Sequence, residues 1–517
     1  MSQALEAEQH LLAKGDNEMQ HVLNELLTYG LSQHLIAETD KYYAANQLID
    51  LLALPEYIEQ DVQTVRPIHL ILDELLTDAI ARGICEDSID HRDLFDTKLM
   101  NCLMPRPSDV ICAFEKNYET SSRLATDEYY HLSKASNYIR MDRVNKNLNW
   151  KTETTYGALD LTVNLSKPEK DPKAIAAAKL LPASNYPKCL LCKENVGYAG
   201  TLKHPARQNH RIIPIQLNEE KWQLQYSPYV YYNEHCIILK DAHEPMKVSK
   251  LTFERLLSFV SQFKHYFVGS NADLPIVGGS ILTHDHFQGG NYTFAMDTAP
   301  VILPLSFTGY ETVEAGMLKW PLSVIRLRHE SEQTLVALAD KILGAWRQYS
   351  DASLTIKAYS GETPHHTITP IARFKDGKFE LDLVLRDNQT SEAHPDGIYH
   401  PHAHLHHLKK ENIGLIEVMG LAVLPGRLKE ELEVIKQALL ARDVDVLKAS
   451  SLEKHVTWVE ELLTKYDHIL KTDVESIVQT EVGLKFVEIL ECCGVYKQDD
   501  EGYRGMKQFA AYVNLKA

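Results

Sequence analysis

The sequence predicts an α+β protein, with antiparallel sheet in the middle of the chain and helical regions at both ends. Three observations carry this. Apolar residues recur at helical spacing at the two ends, at 21–27, 68–76 and 428–436. Between about 136 and 425 short alternating apolar runs replace that spacing, as at 159–165. Within that middle, one order of elements occurs twice. The expected regions are a helical 1–135, a first sheet-bearing half at 136–300, a second, degenerate half at 301–425, and a helical 426–517.

Taken in order, the N-terminal region is punctuated by Pro55, Pro67, Pro105 and Pro107 and shows no chemistry, so packing or dimerisation is its expected role. Cys85, Cys102 and Cys112 read as buried small side chains. Residues 168–187 resemble a linker carrying one Ala/Lys-rich helix, and Cys189-Leu190-Leu191-Cys192 follows. Strands are expected at 211–215 and 234–239, a loop bearing His243 next, and a helix at 252–267. A short apolar run at 274–277 leads to Gly278-Gly279-Ser280-Ile281-Leu282-Thr283-His284-Asp285-His286-Phe287-Gln288-Gly289-Gly290. In the second half, strands are expected at 320–327, 367–371 and 379–385, and a helix at 334–349.

Composition is that of a globular protein, with 44% hydrophobic and 24% charged residues among 517. A net charge of −17 argues against nucleic acid or an anionic membrane surface as the main partner. No apolar run is long enough to span a bilayer, and the first residues lack the basic-then-apolar pattern of a secretory signal. Eight cysteines in a chain of this length do not make a disulfide framework, so reduced thiols in the cytoplasm are expected.

The 278–290 stretch is the chemical centre of the sequence. Ile281 and Leu282 read as part of a short buried strand. If the backbone stays extended, His284 and His286 point to one face. Imidazole is a nucleophile at neutral pH, and the Gln288 amide can hold a phosphate oxygen. An isolated His-x-His is more often an ordinary surface or core pair. The single Cys-x-x-Cys fits a zinc half-site, a redox pair or chance. The lack of a thioredoxin-like strand–helix context puts zinc ahead of redox, with histidines as the missing half.

His284-Asp285-His286-Phe287-Gln288 resembles the His-Pro-His-Gly-Gln motif of the galactose-1-phosphate uridylyltransferases, members of the histidine-triad superfamily of nucleotidyl transferases. The full Thr283–Gly290 form is similar to their second, bacterial class. The resemblance covers about 136–425 and implies two histidine-triad-like antiparallel halves. It implies a structural zinc held by Cys189, Cys192, His243 and His284, a closed tetrahedral set. It also implies a ping-pong exchange of UMP between UDP-glucose and galactose 1-phosphate, with His286 as nucleophile and Gln288 and Ser280 on the phosphate. Arg140 and Arg143 stand where the family contacts the nucleotide, and Glu417 where it binds sugar hydroxyls. For the arginines the alternative is a solvated face, and for Glu417 a buried, hydrogen-bonded residue at a helix start. A homodimer is implied. His365 and His366 correspond to a histidine strand that helps bind iron in other members, but the spacing differs and no iron site is implied. The dense histidines at 400–407 fit either a metal site or a polar loop. The rival functions are another nucleotidyl transfer, such as a dinucleotide phosphorylase, and a non-catalytic zinc-binding protein.

Overall fold

The computed structural model describes residues 18–165, 185–279, 281–448 and 452–516. Most of the linker-like stretch, including its Ala/Lys-rich segment, and Ser280 lie outside them. A ten-stranded antiparallel sheet organises the chain. Its first five strands are β3 (Ile213–Leu217), β4 (Glu220–Tyr226), β5 (Cys236–Lys240), β6 (Phe267–Gly269) and β7 (His286–Gly290). The second five are β8 (Val301–Leu305), β9 (Glu314–Leu318), β10 (Val324–His329), β13 (His366–Lys375) and β14 (Lys378–Asp387). Two further sheets use β1 (Leu148–Thr154), β2 (Gly157–Val163) and β15 (Leu421–Leu424), and the short pair β11 (Tyr359–Ser360) and β12 (Thr363–Pro364).

The large sheet is one five-strand order used twice, back to back. From one edge the order is β3-β4-β5-β7-β6, and from the other β8-β9-β10-β14-β13. Each half sends a helix, Lys250–Gln262 or Glu332–Trp346, between its third and fourth strands. The halves join where β6 pairs with β13, at Gly269 with Ile371 and Val268 with Ala372.

The two faces of the sheet bury different cores. Both crossover helices cover one face, where Trp222, Phe253, Phe259, Phe287, Leu335, Trp346 and Leu381 are fully buried together. Phe287 stacks on Trp222 there, ring centres 4.8 Å apart. Side chains alternate along a strand, so His286 and Gln288 turn to the opposite face. That face is covered by a second core that includes Leu161, Trp320, Leu415, Leu421, Trp458 and Phe486. There β15 pairs in parallel with β2.

The predicted elements are shifted in ways the residues explain. The helix expected at 252–267 ends at Gln262, because Phe263 has left helical dihedrals (φ −123°, ψ 68°). Phe263 and Tyr266 continue the apolar spacing into the same core without continuing the helix. The two strands expected after 367 form a longer hairpin. Its turn, Asp376-Gly377, has positive φ at both positions (51° and 77°), the geometry of a two-residue hairpin. Ile281 and Leu282 are not in a strand; β7 begins only at His286.

The histidines at 400–407 make internal hydrogen bonds. His402 Nε2 and His406 Nε2 bond the carbonyls of Ile398 and Pro401 at 3.0 and 2.8 Å. His407 meets His455 of the C-terminal region, Nδ1 to Nδ1 at 2.9 Å, and His455 Nε2 meets Glu431 at 3.0 Å. Burial pushes His407 down to about 3 and also lowers His455. A buried base with a lowered native value is destabilised when protonated. Below the ordinary 6.5 the unfolded chain takes up protons that the native state refuses, so stability falls as pH drops toward 3. The urea midpoint should therefore be lower at pH 5.5 than at pH 7.5, by less in His407→Asn. An equal drop in both proteins would refute this origin.

Candidate active site

The sheet and its loops bring Cys189, Cys192, His243 and His284 together from three separate segments. Their ligand atoms all lie within 4.8 Å of one another. Cys189 Sγ is 3.5 Å from Cys192 Sγ and 3.3 Å from His284 Nδ1, and Cys192 Sγ is 3.1 Å from His243 Nδ1 and 3.8 Å from His284 Nδ1. An ion about 2.3 Å from sulfur and about 2.0–2.1 Å from nitrogen has tetrahedral edges of about 3.3–3.8 Å. The four side chains match that cage. The sulfurs are too far apart for a disulfide, which needs about 2.05 Å. His284 Nε2 lies 2.8 Å from the Lys240 carbonyl. A carbonyl only accepts, so the proton sits on Nε2 and the Nδ1 lone pair faces the sulfurs. The cluster can hold a metal ion.

His286 follows two residues later and faces different partners. Its Nδ1 lies 2.8 Å from the His284 carbonyl, which places the proton on Nδ1 and leaves Nε2 bare. The residue is 6% exposed, and burial lowers the imidazole to about 4, so it is neutral at pH 7. Gln288 stands on the same face of β7, opposite Ile237 on one side and Gly269 on the other. Its carboxamide lies 3.3 Å from Nε2 of His235, a buried residue just before β5. Asp285 points elsewhere, with an oxygen 3.3 Å from Arg255 of the helix Lys250–Gln262, and burial raises it to about 6. Gly289 is required by packing: a Cβ there would sit 2.6 Å from the Phe267 carbonyl.

Glu417 is linked to this strand through two asparagines. A Cβ on Gly279 would lie 2.8 Å from the Asn271 carboxamide, so the loop rests on that side chain. Asn271 Oδ1 accepts the Leu415 N–H at 2.9 Å, at the start of the helix Leu415–Val418 that carries Glu417. Asn412 donates to the Gly278 carbonyl at 3.4 Å and faces His400 Nε2 at 3.3 Å. Glu417 accepts the Gly414 N–H at 3.1 Å and pairs with the buried Lys409 at 3.0 Å. Burial and then the Glu417 charge raise Tyr231 to about 12, and the Tyr231 ring lies 5.4 Å from that of His235.

Arg140 and Arg143, expected to contact the nucleotide, each meet a carboxylate. Arg140 is held by Asp96 and Arg143 by Asp93, both on the helix Ile89–Asn101. These pairs tie the approach to β1 onto the N-terminal helices. His235, Asn271 and Lys409 were not legible as site residues. The signal for His235 is its position two residues before Ile237, on the parity that faces Gln288.

The class is therefore a doubled antiparallel-sheet protein in which a Cys2His2 metal cradle abuts a buried histidine with one free ring nitrogen. The sequence matches the galactose-1-phosphate uridyl transferase N-terminal domain over residues 34–245 and the C-terminal domain over 259–460. The galactose-1-phosphate uridylyltransferase of Clostridium acetobutylicum is 53% identical over 496 residues, 96% of this chain and 99% of that one. Those of Caldanaerobacter subterraneus and Clostridium perfringens are 51% and 50% identical, over 96% and 95% of this chain and 98% and 99% of theirs. A yeast Ap4A phosphorylase structure covers 64% of this chain and 93% of its own, at 12% identity and a TM-score of 0.33. The chain belongs to the galactose-1-phosphate uridylyltransferase family.

Cys189→Ser removes one corner of the cradle. It should purify with markedly less bound metal than wild type and unfold at a lower temperature, by metal analysis and calorimetry. A metal-free wild type of undiminished stability would refute the cradle.

Proposed function

We propose that His286 carries a uridylyl group between UDP-glucose and galactose 1-phosphate. The chain is a hexose-1-phosphate uridylyltransferase of galactose metabolism. The observation that carries the mechanism is the His286 tautomer: its proton is engaged by the His284 carbonyl, so Nε2 keeps its lone pair. Nε2 attacks the α-phosphorus of UDP-glucose. An N–P bond forms, and the P–O bond to glucose 1-phosphate breaks with its electrons going to the leaving oxygen. An oxygen of galactose 1-phosphate then attacks the same phosphorus, the N–P bond breaks, and UDP-galactose leaves.

Gln288, Ser280 and backbone N–H groups of the loop neutralise charge on the transferred phosphate. Glu417 binds sugar hydroxyls; its link to the loop through Gly414 and Asn271 supports that assignment. Arg140 and Arg143 contact the nucleotide, as the family resemblance implies, and their pairing with Asp96 and Asp93 also anchors the approach to β1. The metal is zinc: two thiolates and two imidazoles leave no open position, which suits a structural ion. Bound there, it would fix the His284 ring and so the strand that presents His286. Reduced thiols suit the cytoplasm. The two five-strand repeats are read as histidine-triad-like halves, and a homodimer rests on the family resemblance alone.

His286→Gly should abolish turnover of UDP-glucose with galactose 1-phosphate while keeping the metal and the fold. Added uridylyl-imidazole should restore UDP-sugar formation. Mass spectrometry of wild type incubated with UDP-glucose labelled at the α-phosphate should find the acid-labile label on His286. Label elsewhere, or turnover of diadenosine tetraphosphate in place of UDP-glucose, would overturn the reading.

Glu417→Gln should raise the KM for hexose phosphates about tenfold, the effect of weakening one charged hydrogen bond. Unchanged steady-state kinetics would leave Glu417 a structural residue.

A further inference from the structure

We infer that His235 is a positioning residue: it accepts a hydrogen bond from the Gln288 side-chain NH2 and so holds that amide in one orientation. The inference rests on the reading of Gln288 as a phosphate ligand and adds to it the group that sets its orientation.

Two contacts of one ring decide the matter. His235 Nδ1 lies 2.8 Å from the Tyr229 carbonyl. His235 Nε2 lies 3.3 Å from the carboxamide of Gln288, nearest to the position of Oε1. The Tyr229 carbonyl can only accept, so the Nδ1 proton is obligatory. Only two arrangements then satisfy both contacts. Either the ring carries a second proton on Nε2 and donates it to the Gln288 oxygen, or the ring is neutral and the amide is turned by 180°, presenting NH2 to a bare Nε2. Carboxamide oxygen and nitrogen are alike in shape, and the bonding network assigns them.

The surroundings choose the second arrangement. His235 is 3% exposed. The rings of Tyr231 and Tyr232 lie against it, at 5.4 and 4.6 Å between centres. Glu234, next in the chain, is engaged by Tyr266, Asn233 and Asn291. Burial without a facing carboxylate disfavours the cation, and the ring is lowered to about 4. With one N–H held by His235, Gln288 keeps its other N–H free to donate to a phosphate oxygen. Without that acceptor the amide is free to turn, and its N–H is no longer held in one place. The ring acts through Gln288 and not on the reacting atoms.

A double-mutant cycle with the full-length enzyme tests this. His235→Leu removes the acceptor and should lower kcat about tenfold or more, with KM for UDP-glucose changed less than about twofold. In a Gln288→Ala background the same substitution should change kcat less than about twofold, because the group it positions is gone. His235→Gln places an acceptor oxygen near the Nε2 position and should recover most of the wild-type kcat. It also serves if the leucine variant folds poorly. Additive losses, or a leucine variant with wild-type kcat, would overturn the inference. A wild-type enzyme that makes no uridylyl-histidine would instead overturn the reading beneath it. Nitrogen-15 NMR of the labelled ring tests the orientation without any turnover. Protonated Nδ1 with bare Nε2 at pH 7 is expected, and a proton on Nε2 would overturn the assignment.

Discussion

His284 does two things through two parts of one residue. Its ring closes the cluster of Cys189, Cys192 and His243, and its carbonyl holds the Nδ1 proton of His286. Fixing the ring therefore fixes the carbonyl, and the carbonyl sets the tautomer of His286. The same logic runs one shell outward. Lys240, the last residue of β5, offers its carbonyl to His284 Nε2, and its N–H reaches the Asp285 carbonyl. The metal-capable cluster and the His286 ring are thus joined through backbone geometry.

The doubled sheet shows what the second half does instead. On the face where β7 carries His286 and Gln288, β14 carries Glu380 and Asp382. These carboxylates are buried with Arg326 and Arg373, which bond Asp382 at 2.7–2.8 Å. Arg326 also reaches the carbonyls of Met296 and Asp297. Breaking a buried pair leaves an uncompensated charge, so such a network holds the segment before β8 against the sheet. One half presents chemistry and the other supplies a rigid partner for it.

The motif was legible because its chemistry is local. Cys189-x-x-Cys192 and His284-x-His286-x-Gln288 are short spacings, and the four ligands that the family resemblance implied do converge. The alternation on each side of the Asp376-Gly377 turn also read correctly, though too short. What the sequence did not show depended on distant context. Ile281 and Leu282 have strand-like side chains, yet the Leu282 carbonyl bonds Met246 N–H of the loop after β5, and the chain joins the sheet as β7 only from His286. Arg140 and Arg143 carry no mark of the carboxylates that meet them from nearly fifty residues earlier. His235 is one histidine among 24, and only the pairing of β5 with β7 brings it to Gln288.

The small sheet carries a consequence for synthesis of the chain. Trp150 Nε1 and Thr152 Oγ1 of β1 both bond the carbonyl of Gln479, each at 3.1 Å, across more than three hundred residues. β2 finds its parallel partner only at Leu421–Leu424. A growing polypeptide that has just made β1 and β2 has a hairpin with one finished edge and no roof. That edge must wait, unpaired, until Leu421–Leu424 has been made. The face that bears His286 is covered in part by segments made much later, among them Leu421–Leu424 and the helix Val474–Cys493.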